Sequence, residues 1–240
     1  MKLIGVSALI ATLCFGGLIE AQPLPVLYDS KIKTTISKIS DAQHARIYGD
    51  LLRIGGIALR RECEQDKLPA TADLAGMARG AFTRRSALQS AYMFRLCYTK
   101  RYPDTGFYGL VIYEGAQVIR VFSLQFRGLY EGADELFGVR DINMNGTDEL
   151  ALVWDWGDGC CSSRYLTLLE LEQSPPKSLG TLEVGADSET DEGIMQEDWV
   201  VYVLKASKPV FIGVERIKKS TPVRMSLIEA NIKIRNFTLR

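Results

Sequence analysis

The stretch "GFYGLVIYEGAQVIRVFSLQF", residues 106–126, decides the fold class of this chain of 240 residues. Two runs rich in β-branched and aromatic residues stand on either side of Glu114-Gly115, a pair with the chemistry of a tight turn. The pattern predicts two strands that fold back on each other as a β-hairpin. A mainly β protein is therefore the first expectation.

Similar patterns continue on both sides of this hairpin. Residues 88–102 alternate as a strand, residues 149–171 and 199–217 each predict a further hairpin, and residues 225–239 predict a last strand region. The acidic stretch "SETDEGIMQED", residues 188–198, has no periodicity and is expected to be an exposed loop. Short sequential strands with tight turns predict an antiparallel meander: a sandwich, an open barrel or partial propeller-like sheets.

Residues 22–78 are predicted to form a helical N-terminal segment, placed before an antiparallel β domain at 79–240. The pattern Ser40-x-x-Gln43 is a capping-box signature for the start of a helix. Apolar residues then recur at helical spacing, and one face is expected to hold Ala45, Tyr48, Leu51, Leu52 and Leu59. The chain is thus predicted to be mainly β, and α+β overall, with the helical segment covering one face or end.

The first 21 residues, "MKLIGVSALIATLCFGGLIEA", have the features of a secretory signal peptide. Lys2 gives a positive start, an apolar stretch follows at 3–19, and Ala21 is a small residue at the expected cleavage position. An uncleaved membrane anchor is the alternative, although Gly16-Gly17 weaken a spanning helix. Cleavage predicts an exported protein, periplasmic or associated with the cell envelope, without a transmembrane span.

Four cysteines follow the expected cleavage position: Cys63, Cys97, Cys160 and Cys161. An even number in an exported chain favours disulfide bonds. A bond between the adjacent Cys160 and Cys161 closes a strained ring, so two long-range bonds are sterically easier. We therefore expect Cys63 and Cys97 each to bond one member of the adjacent pair.

The net charge is zero, with 29 Lys and Arg against 29 Asp and Glu, which argues against a protein dominated by nucleic-acid contacts. The charge is uneven, because residues 22–140 hold 17 basic and 12 acidic side chains. A basic patch in this half could contact nucleic acid or envelope polysaccharide. Its candidate residues are Arg60, Arg61, Arg84, Arg85, Lys100 and Arg101. The alternative is two differently charged faces that offset each other.

The polar segment "DINMNGTDELAL", residues 141–152, raises the question of a metal site. Oxygen-bearing residues occupy its alternate positions: Asp141, Asn143, Asn145, Thr147 and Glu149. A hard cation such as calcium takes six to eight oxygen ligands, and Gly146 stands where a sharp turn is needed. If Asp141 is position 1 of the loop, Leu152 is position 12. An EF-hand requires a glutamate at position 12, so Leu152 excludes an EF-hand. A metal-free turn is the alternative, since Asx residues and glycine form turns unaided.

The segment "GVRDINMNGTDELALV" resembles the calcium loop of FG-GAP and VCBS repeats, found in integrin-type β-propellers and in exported bacterial proteins. The match is short, covering residues 141–150, and a predicted strand follows it directly, as in those repeats. The resemblance implies a loop between two strands that binds calcium through the five oxygen-bearing residues. Asn145 stands where those families usually have an aspartate, so the implied affinity for calcium is modest.

Catalytic constellations are few in this sequence. His44 is the only histidine, so a Ser-His or Cys-His pair has a single candidate base. Asp155 and Asp158 could serve a carboxylate hydrolase, and the cysteines at 160–161 could serve thiol redox chemistry. The favoured interpretation is a non-catalytic exported binding or scaffold protein that holds an envelope protein or surface polymer. A polyanion-binding protein and an enzyme are the alternatives.

Overall fold

The computed structural model describes ten segments of the chain, which are residues 24–32, 38–63, 69–98, 106–126, 132–157, 161–173, 175–190, 193–216, 222–229 and 232–237. The expected signal peptide at 1–21 lies outside them. Within these segments the fold is mainly β, and its antiparallel sheets do not close into a barrel. The prediction of a mainly β antiparallel fold is therefore confirmed.

The described part of the chain contains one helix, α1, at Asp41–Glu62. Its strands are β1 Val26–Asp29, β2 Asp73–Gly80, β3 Gln89–Tyr98, β4 Gly106–Glu114, β5 Gln117–Phe126, β6 Gly132–Val139, β7 Glu149–Gly157, β8 Cys161–Glu170, β9 Lys177–Thr190, β10 Gly193–Leu204, β11 Val210–Glu215, β12 Val223–Met225 and β13 Ile232–Phe237. Two strands, β1 and most of β2, thus lie in the segment 22–78 together with α1.

The strands form two antiparallel sheets with nearly sequential order. The large sheet runs β12-β11-β10-β9-β8-β7-β6, and β1 pairs with β10. The small sheet runs β13-β5-β4-β3-β2, so the chain returns to it after β12. The hairpin predicted at residues 106–126 is present as β4 and β5, with Glu114 paired to Gln117 across the turn. Consecutive hairpins therefore give the expected meander.

The central strands of both sheets are buried on both faces, which explains their nearly continuous apolar runs. On β4, alternate side chains enter two different cores. The core between the sheets contains Tyr108, Leu110 and Ile112. A second core, under α1, contains Phe107, Val111 and Tyr113. On β7, the core between the sheets contains Leu150, Leu152 and Trp154. Ala151 and Val153 point to the opposite face and join a third core there.

Helix α1 covers the outer face of the small sheet. Ser40 caps it, because its hydroxyl accepts a hydrogen bond of 3.2 Å from the Gln43 N–H, as the capping-box signature predicts. Its buried side chains are Ile47, Tyr48, Leu51 and Leu59. Ala45 is exposed instead, since the face that meets the sheet is centred on Ile47 and Leu51.

The disulfide bond corrects the expected pairing of the cysteines. Cys63, at the C-terminal cap of α1, bonds Cys97 of β3, with 6.0 Å between their Cα atoms. The prediction that each bonded one of the adjacent cysteines is wrong, because α1 packs on the small sheet and brings Cys63 to β3. Cys161 begins β8 in the large sheet, and Cys160 lies outside the described residues.

The acidic stretch at residues 188–198 is a second correction. Its described residues belong to β9 and β10, which pair from Gly193 with Thr190 to Asp198 with Gly185. The absence of periodicity did not reveal these strands, because main-chain hydrogen bonds pair them whatever side chains they carry. No helix in the described segments is both long and apolar enough to cross a membrane.

The two sheets meet where β2 passes β6. A Cβ atom added to Gly138 would lie 2.5 Å from the main-chain oxygen of Arg79, and one added to Gly76 would lie 2.5 Å from the Leu136 Cβ. Glycine at these positions permits the backbones to approach so closely. The segment 140–148, which connects β6 to β7, therefore emerges at the junction of the two sheets.

Candidate functional site

The segment 140–148, here called the β6–β7 loop, is tightly curled. Three of its residues have positive φ: Asp141 at 35°, Met144 at 60° and Gly146 at 93°. Glycine adopts such a conformation without strain, whereas the two other residues adopt it only where local contacts hold them. The loop is therefore a fixed structure that its own side chains must stabilise.

Polar side chains at alternate positions accept hydrogen bonds from the loop's main chain. The Gly146 N–H donates to Asp141 Oδ1 over 3.1 Å, and the Asn145 N–H to Asn143 Oδ1 over 3.1 Å. The Thr147 N–H and hydroxyl both donate to Asn145 Oδ1 over 2.8 Å. The side-chain oxygens of Asp141, Asn143 and Asn145 thus face main-chain N–H groups of the loop itself.

Glu149 carries an unsatisfied buried carboxylate at the end of this loop. Its side chain is 1% exposed, and Oε2 accepts the Ile142 N–H over 2.9 Å. Oε1 is buried without a hydrogen-bond partner among the described residues. Burial raises the pKa of Glu149 to about 7, with a further contribution from the charges of Asp141 and Glu170. Such a group requires either a proton or a cation.

The donor set of the loop fits a hard cation. Calcium takes carboxylate, amide and main-chain carbonyl oxygens as ligands. The loop offers two carboxylates, two amide oxygens and the main-chain oxygen of Thr147. The Glu149 carboxylate includes the unpartnered Oε1. Within the described segments, no group of three or more His, Cys, Asp or Glu side chains is arranged to hold a metal. A cation in this loop would depend on amide and carbonyl oxygens as well as on acids.

Asn145 also has a partner outside the loop. Its Nδ2 donates to Glu170 Oε1 over 2.8 Å, and Glu170 is largely buried at the end of β8. An aspartate at position 145 would place two carboxylates against each other and lose this bond. The amide is therefore matched to Glu170, a residue that the sequence did not single out, because it lies 25 positions away.

Contacts with two other connections fasten the β6–β7 loop to both sheets. Asp148 accepts the Ala81 N–H over 2.8 Å, and its own N–H donates to the Ala81 carbonyl over 3.1 Å. Ala206, between β10 and β11, donates its N–H to the Ile142 carbonyl over 3.1 Å. A loop held from both sides can transmit an added constraint to β2, β6 and β10.

The four basic candidates that the structure describes lie at three separate places. Arg84 pairs with Glu114, and Arg60 and Arg61 lie in the last turn of α1, where cations favour the helix dipole. Arg85 is at the β6–β7 loop, where its Nη2 donates to the Asn145 carbonyl over 3.1 Å. The two others, Lys100 and Arg101, are outside the described segments.

The groups considered for catalysis have structural contacts. Asp155 accepts two hydrogen bonds of 2.8 Å from Arg164 across β7 and β8. His44 Nε2 is 2.9 Å from the Ala72 carbonyl oxygen, and its ring meets Phe94 edge to face. Asp158, like Cys160, lies in a part of the chain that the structure does not describe.

The chain matches no protein-family model, and comparison with curated proteins and with solved structures gives no significant match. The resemblance of residues 141–150 to FG-GAP and VCBS loops therefore stays a prediction.

Proposed function

We propose that this chain is a non-catalytic exported binding or scaffold protein of the periplasm or cell envelope, braced by calcium in the β6–β7 loop. The buried Glu149 carboxylate carries the proposal, since its Oε1 has no partner in the described structure. Burial, together with the charges of two other acids, raises the pKa of this carboxylate. Asp141, Asn143, Asn145, Thr147 and Glu149 would hold the ion. Bound calcium would supply positive charge among these acids and would not take part in a reaction.

The position of the loop supports a bracing role. It joins β6 to β7 and contacts the connections that follow β2 and β10. A cation that fixes the loop would therefore stiffen the junction between the two sheets. A partner that recognises this junction would bind more tightly to the calcium-loaded protein, because less conformational freedom would be lost on binding.

Export is supported by the disulfide bond and by the leader-like sequence. Cys63 and Cys97 are bonded, and structural disulfides persist mainly in oxidising compartments. A binding role rather than catalysis is supported by Asp155, whose carboxylate is paired with Arg164, and by His44, which contacts a main-chain carbonyl.

The cation is tested by isothermal titration calorimetry with the purified protein. We expect one calcium ion per chain, with a dissociation constant in the range of about 10⁻⁴ to 10⁻³ M that is typical of extracellular modules. Glu149→Gln should abolish this binding, whereas Glu183→Gln, which removes an exposed acid on β9, should leave it unchanged. Equal binding by both variants, or none by the wild type, would contradict the calcium brace.

The scaffold role is tested by affinity capture from envelope extracts on the immobilised protein. We expect a partner that is retained in calcium and released by a chelator, and that Glu149→Gln does not retain. Retention of the same proteins by wild type and variant, with or without chelator, would show that the calcium-braced junction is not the binding surface.

A further inference from the structure

An open pocket of about 610 Å³ lies against the outer side of the β6–β7 loop. It is lined by Arg85, Arg140, Asp141, Met144, Gly146 and Lys205. The three cations come from three separate connections, after β2, β6 and β10 respectively. The fold therefore gathers positive charge from positions 120 residues apart onto one side of a loop that is otherwise acidic.

Among the residues that the structure describes, no ion pair neutralises the positive charge of this pocket. No carboxylate in the described segments forms an ion pair with Arg85, Arg140 or Lys205. Asp141 is the single acid of the lining, and its Oδ1 accepts the Gly146 N–H. Three cations against one acid leave an excess of positive charge, which attracts an anion.

Main-chain carbonyls hold two of these cations in place. Arg85 Nη2 donates to the Asn145 carbonyl, and Lys205 Nζ donates to the Arg140 carbonyl. A carbonyl oxygen orients a cation without cancelling its charge. The Arg85 side chain also lies directly over Gly146, where an added Cβ would be 2.1 Å from Nε. Gly146 thus provides both the positive φ of the turn and the room for this arginine.

We infer that this pocket binds the anionic oxygen group, phosphate or carboxylate, of a compact ligand. Guanidinium groups present paired N–H donors that match the oxygens of both anions, and a lysine adds a point charge. Met144, with 65% of its surface exposed, offers apolar contact to the part of the ligand that carries the anion. The pocket volume is in the range of sites for small molecules.

Coupling to calcium forms part of the inference and rests on the proposed function. Asp141 lines the pocket and is also a candidate calcium ligand. Calcium bound to Asp141 would remove the one negative charge that opposes an anion. Anion affinity should therefore rise in calcium, and by thermodynamic linkage the anion should raise calcium affinity by the same factor.

The inference is tested by nuclear magnetic resonance titration of the ¹⁵N-labelled protein. Phenyl phosphate and benzoate are added in separate arms, with phenol as the uncharged control, each in calcium and in a chelator. We expect saturable shifts of the Met144 and Gly146 amide signals with at least one anion and none with phenol. The arm with tighter binding identifies the anion class. Absence of saturable shifts with both anions in calcium would overturn the inference.

Matched variants localise the binding. Arg85→Gln, Arg140→Gln and Lys205→Gln should each weaken the anion about three- to fivefold, as expected for single exposed charge contacts. Lys208→Gln makes the same charge change in the same turn, outside the pocket, and should have no effect. Equal weakening by Lys205→Gln and Lys208→Gln would reduce the site to general surface charge and contradict the inference.

The two proposals fail in different ways. Calcium binding by calorimetry without anion binding would overturn the pocket and leave the brace intact. Anion binding that is equal in calcium and chelator would support the pocket and contradict its coupling to a cation at Asp141.

Discussion

Asn145 shows how a single side chain depends on a distant neighbour. FG-GAP and VCBS loops usually have an aspartate at this position, so the resemblance implies that the amide lowers the affinity for calcium. In the structure the amide nitrogen donates to Glu170, and the amide oxygen accepts the Thr147 N–H. An aspartate could serve only the second contact, so the amide at position 145 is matched to Glu170.

Asn145→Asp should therefore destabilise the protein in a chelator. The lost hydrogen bond and the facing carboxylates should lower the free energy of unfolding by about 1–3 kcal/mol. Adding Glu170→Gln to the same chain should restore stability, because the new amide would again provide a donor between the two side chains. Urea unfolding of the four proteins of this double-mutant cycle measures the coupling.

Asn143→Asp is the matched control for this cycle. Among the described contacts, the Asn143 amide nitrogen donates to no carboxylate. An aspartate at position 143 could still accept the hydrogen bond from the Asn145 N–H. A loss of stability as large as that of Asn145→Asp would show that charge in the loop, and not contact with Glu170, determines the effect.

Tyr113 makes a hydrogen bond whose strength depends on pH. Its hydroxyl donates to Asp50 Oδ2 over 2.6 Å, which joins β4 to α1. Burial of Asp50 opposes ionisation, but the bonds from Tyr113 and Arg53 prevail and hold the pKa of Asp50 below its usual range. Since the folded pKa is the lower one, this stabilisation is present above the unfolded pKa and is lost as the pH falls through the folded one.

Tyr113→Phe should accordingly cost about 1–2 kcal/mol of unfolding free energy at neutral pH, with a smaller cost in acid below the usual aspartate pKa of about 4. Tyr92→Phe is the control, because the Tyr92 hydroxyl bonds the neutral amide of Gln43 over 3.3 Å. Chemical unfolding across this pH range measures both. A Tyr113→Phe effect as independent of pH as that of Tyr92→Phe would contradict the assignment of the bond to ionised Asp50.

At the scale of elements, local signals predicted the hairpins and the helix start. The hairpin β4–β5 and the cap at Ser40 depend on neighbouring residues, which a sequence displays directly. The paired ends of β9 and β10 were missed because main-chain hydrogen bonds leave no apolar signature. The Cys63–Cys97 bond was missed because the partner of Cys63 depends on which sheet α1 covers, and no local pattern reveals that.

Strands β2 and β6 make a contact that the sequence does not reveal. Gly138 faces the Arg79 carbonyl, which cannot move without breaking the small sheet, so Gly138→Ala should lower the unfolding free energy by about 1–3 kcal/mol. Gly49→Ala, at an exposed site in α1 with open space around it, should raise it by about 0.5–1 kcal/mol. Denaturant unfolding measures both signs. A neutral Gly138→Ala would show that the strands are not in close contact.

At the scale of the whole molecule, the candidate site is a product of topology. The sequence singled out residues of the β6–β7 loop by their spacing. Arg85 and Lys205 approach the loop from two other connections, and Glu170 approaches it from the end of β8. No local pattern distinguishes Arg85 from Arg84, although the first contacts the loop and the second pairs with Glu114. The sequence could therefore single out the loop, but not the charged pocket beside it.

The most direct test of the calcium brace is the melting temperature of the wild type and of Glu149→Gln, each in millimolar calcium and in a chelator. At one to ten times its dissociation constant, calcium that binds the folded state alone adds about 0.4–1.4 kcal/mol of stability. We therefore predict that it raises the wild-type melting temperature by about 1–5 °C. Glu149→Gln should melt in chelator at or above the wild-type temperature, because it removes a buried charge, and calcium should not change it. A wild-type melting temperature that is the same in calcium and chelator would contradict the account.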